Sequence, residues 1–191
     1  MALASAWQFN YMLIDAAIRV ALARGALRPA RPIAAWAPEP RAFLMCKPLF
    51  EAIERGRNDP GAAAQARWAQ LEADIGSFVE GGFITEKVLK QLKPSKYEHW
   101  ELISRRPKPS LRVFCRFAKP NVLVGTHVQA RKELGGMWSA RFEHEKLVCE
   151  EHWKQAGLPD VPAPGAFSDP PSFRYEAYVT DNATKSWRVP A

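Results

Sequence analysis

Between Ser104 and Lys119 the chain carries Arg105, Arg106, Lys108, Arg112, Arg116 and Lys119 with no acidic residue among them. A run of uncompensated cations suits a polyanion such as a ribose–phosphate chain. The residues around it could add reaction chemistry. Cleaving RNA without a metal uses the substrate's own 2′-hydroxyl: one group takes its proton, cations stabilise the charged phosphorane, and an acid helps the 5′-oxygen leave. Arg112 can grip a phosphate through its planar fork and stays charged, with Arg116, Lys108 and Arg131 on neighbouring phosphates. His99 and His127 are the acid–base candidates, because an unperturbed imidazole titrates near working pH. Glu101 is a third, or it orients a cation. Phe114, between Arg112 and Arg116 on one strand face, offers a ring for a base to stack on. Each has a plainer counterpart: solvated strand arginines, a solvated Arg105-Arg106 turn, surface histidines, a weak ion pair at Glu101, or a Phe114 packed beneath a loop.

The elements that must position these residues are read from periodicity and turn chemistry. Tyr97 to Ser104 alternates as a strand, with Trp100 and Leu102 on one face and His99 and Glu101 on the other. Arg105-Arg106-Pro107-Lys108-Pro109 connects it to a second strand, Leu111 to Phe117. There Leu111, Val113, Cys115 and Phe117 face the core and Arg112, Phe114 and Arg116 face away. Ala118 to Asn121 turns into a third strand, Val122 to Thr126. Upstream, Pro48 to Arg57 is a short helix and Ala62 to Glu80 a longer one, with Trp68, Leu71, Ile75, Phe78 and Val79 at three- and four-residue steps. Gly81-Gly82 ends the longer helix. Thr85 to Leu92 is expected as another short helix, capped by Thr85. A last helix runs from about Ser139 to Gln155, with Phe142, Lys146, Cys149 and Trp153 along one side.

Residues 1–48 are expected as an N-terminal helix and a proline-rich arm, 49–156 as the folded domain, and 157–191 as a proline-rich tail. In the first helix Trp7, Tyr11, Ile14, Ile18 and Ala21 share a stripe, widened by Phe9, Leu13 and Val20. With 27 Lys and Arg against 20 Asp and Glu among 191 residues, the net charge is +7. The clustering of that charge says more than its size. Three cysteines without repeated spacing read as reduced core thiols, which points to the cytoplasm. No apolar run approaches the roughly 20 residues of a membrane helix, and the N-terminus lacks a basic leader segment. The glycine pairs lack the flanks of a nucleotide loop, and there is no serine elbow. His144, Cys149 and His152 are spread too far along one helix for a zinc set. No metal and no cofactor is expected.

Trp100-Glu101-Leu102, Leu111-Arg112-Val113-Phe114 and the strand from Val122 that ends in the basic pair Arg131-Lys132, followed by a helix near Ser139, occur in an order that resembles the RelE/HigB-type toxin superfamily, and more narrowly its phage-derived Gp49-like HigB group. The resemblance covers about Arg67 to Trp153. It implies an α+β, RelE-like fold: N-terminal helices packed on a three- to four-stranded antiparallel sheet, then a C-terminal helix. It also implies a metal-free mRNA endonuclease of a type II toxin–antitoxin system, acting on mRNA free or on the ribosome and neutralised by a cognate antitoxin. Arg112 would contact the scissile phosphate, and Arg131 and Lys132 would be the basic pair at the site. Ile103 stands where the family often has arginine, and neither Tyr175 nor Tyr178 aligns with the tyrosine that several members use. Those departures favour an alternative, a catalytically silent RelE-like module that binds RNA or a partner protein; a third reading is a phage or mobile-element accessory protein whose long arms mediate assembly.

Overall fold

Two nine-residue strands joined by a two-residue turn set the frame. In the computed structural model, which describes residues 2–30, 41–94, 98–136, 138–160 and 178–179, β5 (Leu111–Lys119) and β6 (Val122–Ala130) pair antiparallel. Their turn places Asn121 at φ 62°, a left-handed conformation that asparagine tolerates. β4 (Trp100–Ser104) pairs with the other edge of β5, and β3 (Leu89–Gln91) with β4, both antiparallel. On the far side β2 (Ala42–Cys46) lies parallel to β6, and β1 (Leu27–Pro29) antiparallel to β2. The sheet order is β1-β2-β6-β5-β4-β3. A parallel pair needs a long crossover, and the chain between β2 and β6 supplies it through α2 (Lys47–Arg57), α3 (Ala62–Val79) and the β3–β5 meander.

The class is therefore α+β, as expected, but the sheet has six strands and is mixed rather than three or four and antiparallel. Two short readings account for the difference. Thr85 does begin a turn, its Oγ1 accepting from Lys87 N at 3.2 Å and its carbonyl from Val88 and Leu89 N. That turn stops at Leu89, because the following backbone pairs with β4. The stretch 28–48, expected as an arm, contains Ala-Phe-Leu-Met-Cys, whose Phe43, Leu44 and Cys46 are buried in the sheet. The boundary expected at residue 48 falls in the first turn of α2, two residues after β2 ends. Pro32, Pro38 and Pro40 lie outside the described residues.

Both faces of the sheet are covered. On one, Leu49 and Ile53 of α2 and Leu71, Ile75, Phe78 and Val79 of α3 pack on Trp100, Leu102, Val113, Cys115 and Phe117. Each such fully buried side chain contributes roughly 1.5–3 kcal/mol. On the other, α4 (Ala140–Gln155) buries Phe142, Cys149 and Trp153. Ser139 caps it, accepting from Phe142 N at 3.1 Å. Ile14, Ile18 and Ala21 of α1 (Ala2–Ala23) join Trp153, Leu44 and Val124 on the same side. The side chains of Trp7, Phe9 and Tyr11 lie outside what is described. From the expected tail, Tyr178 returns to the core. Its ring lies 4.8 Å from Trp100 and 5.3 Å from Phe117, and its O–H donates to Glu98 at 2.7 Å. No helix of the described residues is long and apolar enough to cross a membrane.

Candidate nucleic-acid interface

The β4–β5 connection and the turn after β6 meet at one end of the sheet. Arg131 N donates to Ser110 O at 2.8 Å, tying the two loops together. Arg105, Arg106, Lys108 and Lys132 are exposed there, and Arg131 is half-buried. Arg105 Nε donates to Lys87 O at 3.1 Å, and the Arg131 guanidinium donates to Gly135 O. The prolines of the connection keep it out of the ladder, so its cations stay in solvent.

Inward from this rim, Arg112 and Glu101 meet across β4 and β5. Arg112 pairs directly with Ile103, so Glu101 sits two residues along on the same face. Arg112 Nε is 3.4 Å from Glu101 Oε2, and the two side chains are 11% and 7% exposed. Arg112 Nη1 donates to Leu111 O at 3.1 Å. Burial pushes the Glu101 carboxyl above its usual range, against the opposing pull of Arg112, Lys90, Arg131 and Arg105. Burial likewise lowers the Arg112 pKa, as do Arg105 and Arg131, while Glu101 supports its charge. Four cations thus surround one carboxylate, leaving a local positive excess. Lys90 belongs to the set because it is the cross-strand partner of Glu101.

The remaining candidates point elsewhere. Thr126 is an extra residue in β6 at a register shift, since Phe114 faces His127 while Cys115 faces Gly125. The bulge turns His127 and Gln129 to the α4 side. There His127 Nε2 lies 3.0 Å from Glu145 Oε2 and Nδ1 lies 3.0 Å from Thr126 Oγ1. A neutral ring with its proton on Nε2 donates to Glu145, while the threonine hydroxyl donates to Phe114 O at 2.9 Å. Gln129 Nε2 and Arg141 Nε also reach Glu145, at 3.3 and 2.8 Å. Burial first, then His152, Arg141 and His144, push His127 down to about 3. His99, with Nε2 3.2 Å from Glu150 Oε1, is pushed down to about 4 by burial, Arg116 and Lys146. Both imidazoles are buried and paired with α4 carboxylates, away from the cationic end, which corrects the acid–base roles expected of them there.

Phe114 is also corrected. Its ring is fully buried, stacked on His127 at 4.9 Å and tilted against Phe142 at 5.6 Å, so no base can reach it. The strand alternation is as expected, but α4 covers the face it points to. Arg116 is turned inward on the same face. It lies over the Trp153 ring at 4.7 Å and pairs with Asp160 at 3.1 Å, its side chain 12% exposed. Arg112, Glu101, Arg105 and Arg131 are brought to one region, with Arg106 and Lys108 on its rim, Lys132 lines a groove with Arg67 and Trp68 towards α3, and His99, His127, Phe114 and Arg116 are withdrawn beneath α4. Lys90, Arg141 and Glu145 were missed by sequence reasoning. Lys90 was hidden by the helix expected at Thr85, and the i, i+4 spacing of Arg141 and Glu145 was the one signal for the other two.

Among the described residues, no group of three or more His, Cys, Asp or Glu side chains is placed to hold a metal ion. The three thiols are buried and unpaired with one another, Cys46 and Cys149 pushed up to about 12 by burial, so they are poor nucleophiles and poor ligands at neutral pH. Comparison with family models, with curated proteins and with solved structures finds no match to this chain.

Proposed function

We propose that this chain is a RelE-like module that binds the ribose–phosphate backbone of single-stranded RNA at the cationic end of its sheet. The carrying observation is the Arg112–Glu101 pair at 3.4 Å, with Lys90 as the cross-strand partner of Glu101 and the Arg105 and Arg131 loops tied together at the same end of the sheet, flanked by the exposed Arg106, Lys108 and Lys132. The order helix pair, antiparallel three-strand meander and closing helix supports the RelE-like reading. A backbone-gripping surface needs cations at spacings a flexible strand can follow, and tolerates the absence of an exposed acid–base pair.

Fluorescence anisotropy of a labelled single-stranded RNA over a salt series tests this. Affinity should fall with log salt at a slope near −0.7 per phosphate contacted. Replacing Arg105, Arg106 and Lys108 together by alanine should flatten the slope by roughly two, about −0.7 for each lost contact. RNA that fails to bind at low salt sinks the proposal.

One observation favours a second reading, the mRNA endonuclease of a toxin–antitoxin pair. A carboxyl raised by burial and touching a phosphate-gripping guanidinium is the kind of group that general acid–base chemistry employs. In this reading Glu101 takes the 2′-hydroxyl proton, the 2′-oxygen bonds to phosphorus as Arg112 stabilises the phosphorane, the P–O5′ bond breaks to leave a 2′,3′-cyclic phosphate with water protonating the 5′-oxygen, and a cognate antitoxin covers the cationic end. Induced expression with transcript ends mapped, wild type beside Glu101→Gln, decides it: new ends that vanish in the variant support cleavage, and intact transcripts leave binding alone.

A further inference from the structure

A tryptophan stands in solvent next to this cationic surface. Trp138 is 69% exposed, and among the described residues it is the one aromatic side chain in the set of exposed large apolar groups. It lines a groove of about 230 Å³ with Lys90, Lys93, Glu86 and Phe142. Phe142 is buried beneath, its ring tilted against Phe114 at 5.6 Å. Lys90 joins the groove to the cluster, because it is the register partner of Glu101, and Arg112 lies on the next strand. Neighbouring strands are about 4.8 Å apart. Lys90 and Arg112 are therefore two strand spacings and two residues apart, roughly 12 Å between backbones, a distance that one or two nucleotides cover.

We infer that Trp138 is the stacking platform for a base of the single-stranded RNA whose phosphates run over Lys90 and Arg112. This rests on the proposed RNA-binding function and supplies what that reading lacked once Phe114 proved buried. Stacking on an exposed ring is tolerant of base identity, and Lys90 and Lys93 outnumber Glu86 in attracting the backbone that carries the base. An indole held at the lip of a cationic groove is oriented for a planar, uncharged group tethered to an anion.

The test measures binding of a labelled oligoadenylate of about 12 nucleotides, within the roughly 4–16 that such grooves cover, to the full chain. Inorganic polyphosphate serves as a probe with phosphates and no bases. Trp138→Ala should weaken oligoadenylate about tenfold, within the roughly 5- to 150-fold that one stacked base is worth. Trp138→Phe should stay within about threefold of wild type. Polyphosphate affinity and the salt slope should not move in either variant, since no charge is lost. If wild type binds oligoadenylate and Trp138→Ala binds it equally, the platform is refuted while the cationic surface stands. An equal loss for polyphosphate also refutes it, because Trp138 would then be shaping the charge rather than holding a base. Failure of wild type to bind oligoadenylate at low salt removes the functional proposal itself.

Discussion

Truncating Arg112 to alanine separates what this guanidinium does for the fold from what it does for a ligand. Its partner Glu101 is 7% exposed, and removing one member of a buried pair costs about 3–5 kcal/mol, mostly through the orphaned charge. Two features reduce that here. Lys90, Arg131 and Arg105 still act on the carboxylate, and burial has already raised its pKa, so it can take up a proton. The expected loss is therefore about 2 kcal/mol where Glu101 is charged, shrinking as pH falls and the carboxyl takes up a proton. The double variant Glu101→Gln/Arg112→Met removes both charges at nearly constant volume and should return to within about 1 kcal/mol of wild type. Urea unfolding followed by tryptophan fluorescence reads these differences, and anisotropy reads RNA affinity in the same samples. RNA affinity should fall by the same factor in the single and the double variant, because restoring stability does not restore a phosphate contact. A double variant as unstable as the sum of its single changes would show that the pair is not coupled. One that regains RNA binding would show that Arg112 merely props the surface.

Acid stability should follow the buried titratable groups. His127 at about 3 and His99 at about 4 stay neutral in the fold, below their ordinary 6.5, so the unfolded chain binds the extra protons below about pH 6.5. Stability is lost as pH falls there, by up to about 1.4 kcal/mol per pH unit for each histidine. Glu98, pushed up to about 7 by burial, acts oppositely, because the folded state holds its proton between about 4.5 and 7 and stability falls as pH rises through that window. Urea midpoints measured across this range should decline gently at first and steeply below about pH 4.5; Glu98→Gln should steepen the upper part, and an unchanged acid limb in His127→Gln would contradict the burial argument. Gly125→Ala should destabilise by about 1–3 kcal/mol, since its Cβ would stand 2.5 Å from Leu49 Cδ2 and 2.7 Å from Phe43 Cζ. RNA affinity should hold, because this crowding is on the sheet face opposite Arg112; a stability change below about 0.5 kcal/mol would mean that α2 yields easily.

The long elements were legible because their apolar residues repeat. Leu71, Ile75, Phe78 and Val79 announce α3, and Leu111, Val113, Cys115 and Phe117 announce β5, all buried where periodicity places them. Three-residue β1 and β3 carry too few positions to express a period, and pairing with a distant strand decides them. Val88 N–H bonds back to Thr85 as a helix would, yet Ile103 N takes the Val88 carbonyl that a helix would have used. The parallel docking of β2 on β6 has no local signature either, because it joins residues 42–45 to residues 122–125.

The candidate site was legible by charge and illegible by depth. Alternation places Arg112, Phe114 and Arg116 on one face, but it is silent on how far along that face a covering helix extends. α4 reaches Phe114 through Phe142 and Arg116 through Trp153, and leaves Arg112 at its margin with Glu101. A single strand therefore presents three residues of one face in different states: a ring sealed in the core, a cation engaged beneath a tryptophan, and a cation paired at the border of solvent. The bulge at Thr126 carries the same lesson across the sheet. Were the strand to alternate regularly through Thr126, His127 would point towards α2 and α3, and Glu145 would lose its imidazole partner. The residues left to meet a ligand are those that proline-rich or turn backbone holds off the ladder, Arg105 to Lys108 and Arg131 to Lys132, together with Trp138, which precedes the Ser139 cap of α4. On the proposed RNA-binding reading, that distribution predicts a strand crossing the end of the sheet at β3, β4 and β5 rather than its face, with its bases turned towards the start of α4.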